Sequence, residues 1–412
     1  VNRLRLLLAI AVLPLSLAAE TRWIVTWATS PAPQLATQAE MVSAKMVFNN
    51  QTLREIVHTS VGGSTCRVRM SNAFGKEPLQ INAARIALRA TAAEVVGGTD
   101  RPITFGGRES VTIPPDAVLM SDPITLEVPA GGDIAISVYL ARSTNAGGIH
   151  YSANATSYIG AGNQTQAVAF RSSTTVSSWA FLAGVDVAAP ETAASAATIV
   201  AFGDSITDGS RSTANANRRW ADFLAARLRA AGRNDIGVAN AGISGNRVYH
   251  NAINNVRFSV NALARFGRDV LEQPGARYVI ILEGINDIGQ PGTGSAAAAE
   301  AVDDIDIITG LKQMAERAHA LGFKVIGATL TPFSVYTGAD YYSDMKNAQR
   351  QAVNYWIRNS GVFDHVVDFD YIVRDPARPD SMLADYDSGD HLHPGDAGYK
   401  AMADAIDLTW FR

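Results

Sequence analysis

The run Tyr278-Val279-Ile280-Ile281-Leu282 is apolar at every position. A strand with one wet face alternates apolar and polar residues, so a strand with no polar residue is buried on both faces, as in a parallel sheet covered by helices. The neighbouring sequence supplies the helices. Trp220, Phe223, Leu224 and Leu228 recur at helical spacing before Gly232. Ile305, Ile308, Leu311, Met314, Ala318 and Leu321 trace a second helical face that Gly322 closes. Met345, Ala348, Ala352, Tyr355 and Trp356 mark a third. A last helix starts near Asp396 and runs through Tyr399, Met402 and Ile406. Further strand runs at 198–203, 236–241, 324–329 and 365–369 are interleaved with these helices. The alternation predicts an α/β domain over 198–412 with a parallel, doubly wound sheet.

The chain before it has the other period. Trp23, Val25 and Trp27 alternate with Ile24 and Thr26; Val68 and Met70 alternate with Arg67 and Arg69. Short runs at 110–113, 124–128 and 134–139 are separated by Pro114-Pro115-Asp116 and Pro129-Ala130-Gly131-Gly132-Asp133. Many short strands with Gly/Pro turns predict an all-β sandwich or jelly-roll-like domain over 20–185. An Ala/Pro/Thr/Ser-rich stretch at 186–197 reads as a linker. At the N-terminus, Arg3 and Arg5 precede an apolar run at 6–17, followed by Ser16-Leu17-Ala18. Residues 1–19 read as a secretory signal, too short for a comfortable membrane span, so the mature protein is expected to be periplasmic or extracellular.

Composition narrows the partners. A formal net charge of −4 provides no basic surplus for nucleic acid. The single cysteine, Cys66, cannot form an internal disulfide and reads as a small buried hydrophobe. No Cys/His cluster has metal-site spacing, so no metal or organic cofactor is expected, and no later stretch is apolar enough to span a membrane.

Chemistry-bearing residues gather at the predicted strand ends. Gly203-Asp204-Ser205-Ile206 follows the first strand of the α/β part, and Asn240-Ala241-Gly242-Ile243-Ser244-Gly245-Asn246-Arg247 follows the second. Glu283-Gly284-Ile285-Asn286-Asp287 follows the apolar run, and Asp387-Ser388-Gly389-Asp390-His391-Leu392-His393 precedes the last helix. Ligands of open α/β sheets bind at the carboxyl ends of the strands. A serine there is a weak nucleophile until a base takes its proton. Imidazole suits that task, a carboxylate holds its tautomer, and N–H donors face the oxygen that becomes negative. By residue type alone His391 or His393 serves as base, and Asp385, Asp387 or Asp390 as its carboxylate. The bland alternative is a Ser/Asp turn that only starts a helix.

Gly-Asp-Ser-Ile, Gly245, Gly284-x-Asn286-Asp287 and Asp390-x-x-His393 occur in the order seen in the SGNH hydrolases, the GDSL lipase/esterase family, which the chain resembles over 198–412. Ile206 replaces the family's leucine, a conservative apolar exchange. The N-terminal β part looks like that of larger secreted two-domain members. The resemblance implies a three-layer α/β/α, flavodoxin-like domain. It implies Ser205 as nucleophile, His393 as base and Asp390 as its partner. The oxyanion hole would come from Ser205, Gly245 and Asn286. Arg247 and Glu283 are candidate substrate contacts; their bland readings are a salt bridge and a structural strand end. Asp204 and Asp287 read as loop braces, and His58, His150, His250, His319 and His365 as structural or surface residues. Trp23, Trp27, Tyr151, Tyr158 and Trp179 are either sandwich core or platforms for sugar rings.

The expected activity is a secreted serine esterase acting on short acyl esters, such as simple esters or acetyl groups on carbohydrate. A lipase, lysophospholipase or thioesterase is the alternative within enzymes. An inactive carbohydrate-binding or adhesion protein is the alternative of another class.

Overall fold

The computed structural model describes residues 21–190, 193–334, 336, 338 and 340–412; the signal read at 1–19 lies outside them. The first part holds β1 (Trp23–Ala28), β2 (Gln51–His58), β3 (Gly63–Ser71), β4 (Ala83–Thr91), β5 (Ile124–Val128), β6 (Asp133–Leu140), β7 (Gly148–His150), β8 (Ser157–Ala161) and β9 (Leu182–Ala188). One antiparallel sheet runs β1-β9-β3 with β5 against β3. A second runs β8-β2-β6-β4. Period-2 alternation sends Cys66, Val68 and Met70 of β3 and Ile134, Ile136 and Val138 of β6 into one core. Burial pushes the Cys66 thiol up to about 12, which leaves it inert. Trp27 and Trp179 are buried edge to face at 5.0 Å, so they are core and not sugar platforms.

The second part holds β10 (Ala197–Gly203), α1 (Ser205–Asp208), α2 (Trp220–Ala230), β11 (Ile236–Gly242), β12 (Ala276–Leu282), α3 (Ile285–Gly289), α4 (Asp304–Ala320), β13 (Lys324–Ala328), α5 (Asp344–Asn359), β14 (His365–Val367) and α6 (Asp396–Asp404). The parallel sheet has the order β11-β10-β12-β13-β14. The strand order reverses at β10, and the crevice outside the carboxyl ends at such a switch point is where open α/β sheets bind ligands.

One of the long helices buries the face its apolar residues suggested and one does not. In α4, Leu311, Met314 and Ala318 are buried as expected and Ile308 packs against the core, with Ile307 and Ala315 beside them and Ile305 exposed, as is Leu321 just past its end. In α5, Met345 is 82% and Tyr355 70% exposed, while Asn347, Arg350, Val353, Asn354 and Ile357 point inward. Those polar groups are satisfied: Arg350 Nη1 donates to Asp370 Oδ1 (2.6 Å) and Leu330 O (3.0 Å), and Asn354 bonds Leu330 through both its N–H and C=O. Buried polar side chains are tolerated when hydrogen-bonded, so specific partners override the apolar stripe.

Asp186, Val187 and Ala188, read as the start of a linker, are the end of β9. There Asp186 is buried and accepts from Arg67 (2.9 Å) and Arg69 (3.1 Å). The two parts share a hydrogen-bonded seam. Val25 N–H donates to Thr198 Oγ1 (2.9 Å), and Val238 N–H to Ser60 Oγ (2.9 Å). A Cβ on Gly237 would sit 1.9 Å from Val25 O, so this approach requires glycine. Among the described residues no helix is long and apolar enough to cross a membrane.

Candidate active site

β10 ends in a sharp turn. Asp204 caps α1 by accepting Ile206 N–H at Oδ1 (2.9 Å), and Gly209 ends it in the left-handed region (φ +91°). This places Ser205 on the first residue of a helix at the carboxyl end of the sheet. Ser205 Oγ is 2.8 Å from His393 Nε2, and His393 Nδ1 is 2.8 Å from Asp390 Oδ2. The two residues lie in the loop before α6. There Asp390 Oδ1 accepts the backbone N–H groups of Leu392 (3.0 Å) and His393 (2.8 Å). Burial alone would raise the Asp390 carboxyl; the His393 hydrogen bond and charge and the two N–H groups outweigh it and hold it well below the ordinary range. Arg211 Nε adds a further donor at Oδ2 (2.9 Å).

The competing residues are engaged elsewhere. His391 Nδ1 faces Asp387 Oδ2, and Asp387 Oδ1 also takes the N–H groups of Gly389 and His391. Asp385 is exposed.

Gly245 has φ +78°, and a Cβ there would lie 2.3 Å from the Phe258 ring, so only glycine fits. Asn286 sits in α3, beyond β12. Its Oδ1 accepts from Gln290 Nε2 (3.0 Å) and Tyr341 OH (2.9 Å), which orients the amide; Nδ2 donates one hydrogen to Asn246 O (3.0 Å) and keeps a second. Neither the Ser205 N–H nor the Gly245 N–H has a protein acceptor among the described residues. Each of three segments beyond a strand end thus keeps an uncommitted N–H among the described residues.

Beneath these segments lies a buried charge layer. The Arg265 guanidinium donates to Gly203 O (2.8 Å), Ala241 O (2.7 Å), Asn246 Oδ1 (2.6 Å), Asp269 Oδ2 (3.1 Å) and Glu283 Oε1 (3.1 Å), tying together the ends of β10, β11 and β12. Burial pushes Asp204 up to about 7 and Asp287 up to about 6, and drives Glu283 well above its ordinary value. Asp287 braces the second loop by accepting Val248 N–H (2.7 Å) and Tyr249 N–H (3.1 Å).

The structure does not bring Arg247 and Glu283 to the nucleophile. Both are buried. Arg247 pairs with Glu300 through Nη2 (2.7 Å) and Glu283 Oε1 with Arg265 (3.1 Å), and both side chains are closed off from solvent. Conversely, Arg211 and Tyr341 join the site without any local sequence signal, because each reaches its partner across a long sequence separation; Gln290 lies one helical turn beyond Asn286, a spacing the sequence does show.

A doubly wound α/β domain with a serine, histidine and N–H donors at its switch point defines an enzyme class that acts on acyl groups. Residues 201–401 match the model of the GDSL-like Lipase/Acylhydrolase family. The chain carries a domain of that family and is a carboxylic ester hydrolase. No curated protein matches the chain significantly. Similar solved structures include a GDSL-like lipase from Bacteroides thetaiotaomicron, at 22% identity over 51% of this chain and 85% of that one, with a TM-score of 0.37. A carbohydrate acetylesterase from Sinorhizobium meliloti is 17% identical over 51% and 96%, with a TM-score of 0.38. An acetylxylan esterase from Geobacillus stearothermophilus is 19% identical over 51% and 91%, with a TM-score of 0.39. At these TM-scores the likenesses carry no argument about substrate.

Proposed function

We propose that the protein is a serine esterase for short acyl groups, with Ser205, His393 and Asp390 as its triad. The continuous contact from Ser205 Oγ through His393 to Asp390 carries this reading. His393 Nε2 accepts the Ser205 proton as Oγ attacks the ester carbonyl, and Nδ1 donates to the Asp390 carboxylate, which stabilises the imidazolium. The carbonyl oxygen, now negative, sits among the N–H groups of Ser205 and Gly245 and the Asn286 amide. His393 then protonates the leaving alcohol. Water, deprotonated by the same imidazole, attacks the acyl-serine and releases the acid.

Polar side chains border the nucleophile: Ser210 and Ser244 share a hydrogen bond (3.1 Å), and Arg211 lies against Asp390. These surroundings favour a small acyl group on a polar alcohol, such as acetylated carbohydrate, over a long-chain lipid. With residues 1–19 acting as a secretory signal, that substrate is outside the cytoplasm. Hydrolysis of p-nitrophenyl acetate, butyrate and palmitate beside a Ser205→Ala control tests the reading. The expected result is turnover of the short esters that falls by about 10⁶-fold in the control. Equal turnover in the control would overturn the serine mechanism, and a preference for palmitate would overturn the short-acyl assignment.

A further inference from the structure

β7 belongs to the β-rich part, yet its last residue, His150, reaches across the seam. Nδ1 lies 3.0 Å from Ser30 O and Nε2 3.0 Å from Asp208 Oδ1. A carbonyl oxygen only accepts, so Nδ1 carries a hydrogen; facing a carboxylate, Nε2 is satisfied when it carries one too. The imidazolium thus fulfils both contacts. The ring is buried and stacked on Trp179 at 5.4 Å.

Asp208 is the last residue of α1, the helix that begins with Ser205. Its second oxygen, Oδ2, accepts the Ser244 N–H (2.9 Å) and the Ser244 Oγ (2.6 Å). Ser244 immediately precedes Gly245. The backbone of Asp208 is gripped from the other side by Arg219 Nε, which donates to its carbonyl (2.8 Å). One buried carboxylate therefore joins the nucleophile helix to the loop that presents the Gly245 N–H. Its Oδ1 is held by a histidine from the other half of the molecule.

We propose that His150 is a positioning residue for the esterase: by holding Asp208 it fixes Ser244, and through it the Gly245 N–H, relative to Ser205. The β-rich half thereby completes the oxyanion site. The inference rests on the esterase reading above. Removing the imidazole leaves a buried carboxylate oxygen unpaired, an arrangement that relaxes by turning the side chain toward another donor. A shift of that kind at Ser244, the residue next to an oxyanion donor, costs rate without removing any group that touches substrate.

His150→Ala, His150→Gln and His58→Gln test it. His58 lies at the same seam but pairs with Asp133 (2.7 Å), off the Asp208 chain. Three readouts apply: kcat and KM on a short p-nitrophenyl ester, affinity for an alkyl boronic acid that forms a tetrahedral adduct on Ser205, and hydrogen exchange of the Ser244 amide. His150→Ala is expected to lower kcat by about 10- to 100-fold with KM changed less than about twofold. It should weaken the boronate by a similar factor and expose the Ser244 amide to exchange. His150→Gln, whose amide still donates to Asp208, should recover most of kcat. His58→Gln should leave all three readouts at wild-type values. A folded His150→Ala with wild-type kcat, boronate affinity and Ser244 protection overturns the proposal, as do equal losses in His58→Gln. Should His150→Ala not fold, Ser244→Ala leaves the seam intact and is expected to lower kcat by about three- to tenfold; unchanged kcat there also overturns it. Absence of Ser205-dependent turnover in the wild type would sink the esterase reading instead. Exchange at Ser244 needs no turnover and still decides the His150 contact.

Discussion

Two histidine–aspartate pairs flank the nucleophile, and they do opposite things. At the rim, His393 gives Nδ1 to Asp390 and leaves Nε2 facing a hydroxyl (2.8 Å), which can surrender a proton to it. At the seam, His150 gives Nε2 to Asp208 and Nδ1 to a backbone carbonyl. Both nitrogens of His150 face acceptors, so it has no lone pair to offer. On the proposed reading the same two residue types make a base in one place and a clamp in the other, and the difference is the third partner. Solvent access follows: the rim pair is partly open, whereas the seam pair is closed in by Trp179 and Ser30.

The rim pair breaks hardest. Asp390→Asn keeps the shape of the side chain but supports the wrong imidazole tautomer, and kcat on a short ester should fall by about 10⁴-fold. A loss of only a few-fold would make Asp390 dispensable and Asp387 with His391 the pair to examine.

The donors come next. Asn286→Ala removes one oxyanion hydrogen bond and should lower kcat by about 10²- to 10³-fold, while the thermal midpoint changes far less in proportion. Full turnover in that variant would remove Asn286 from the site.

The smallest effect sharpens the seam pair. Burial lowers the His150 pKa, but the charge and hydrogen bond of Asp208 and the Ser30 carbonyl outweigh it; Arg219 opposes them, and the net direction is upward. A pKa raised in the folded state means stability that is fully present below the unfolded value near 6.5 and lost as pH rises through the folded value. The gap in thermal midpoint between wild type and His150→Gln should therefore be widest below about pH 6.5 and shrink on the alkaline side. A gap that widens with pH would mean that the ring is held neutral.

The buried acids at the sheet edge place another pH dependence in the same range. Asp204, pushed up to about 7 by burial, is most stabilising below the ordinary carboxylate range. Comparing wild type with the glutamine variant isolates the histidine from this shared background.

The strand ends and their motifs were legible because each is a local statement. An apolar run, a glycine that tolerates positive φ and a cap after a strand need only their neighbours in the chain. That was enough to assign the parallel sheet and to separate an all-β part from an α/β part. It left His391 or His393 as the base and Asp385, Asp387 or Asp390 as its carboxylate; the set Ser205, Gly245, Asn286, Asp390 and His393 came from the resemblance to the SGNH hydrolases. Helix faces were less legible: in α5 the inward side is chosen by partners for Arg350 and Asn354 that lie elsewhere in the chain, and apolar periodicity does not record them. The same applies to the charge layer. Glu283 looked like a group that could meet a substrate, but Arg265 claims it from below the sheet edge.

What the sequence determined by itself is therefore the order of elements and the kind of chemistry at their ends, since periodicity and turn residues act over a few positions. What only the tertiary structure decided is which histidine reaches Ser205, which carboxylates are buried and paired, and that His150 closes on Asp208 across the seam. Those choices depend on distances between residues far apart in the chain, and on the loss of water around them, and folding alone brings both about.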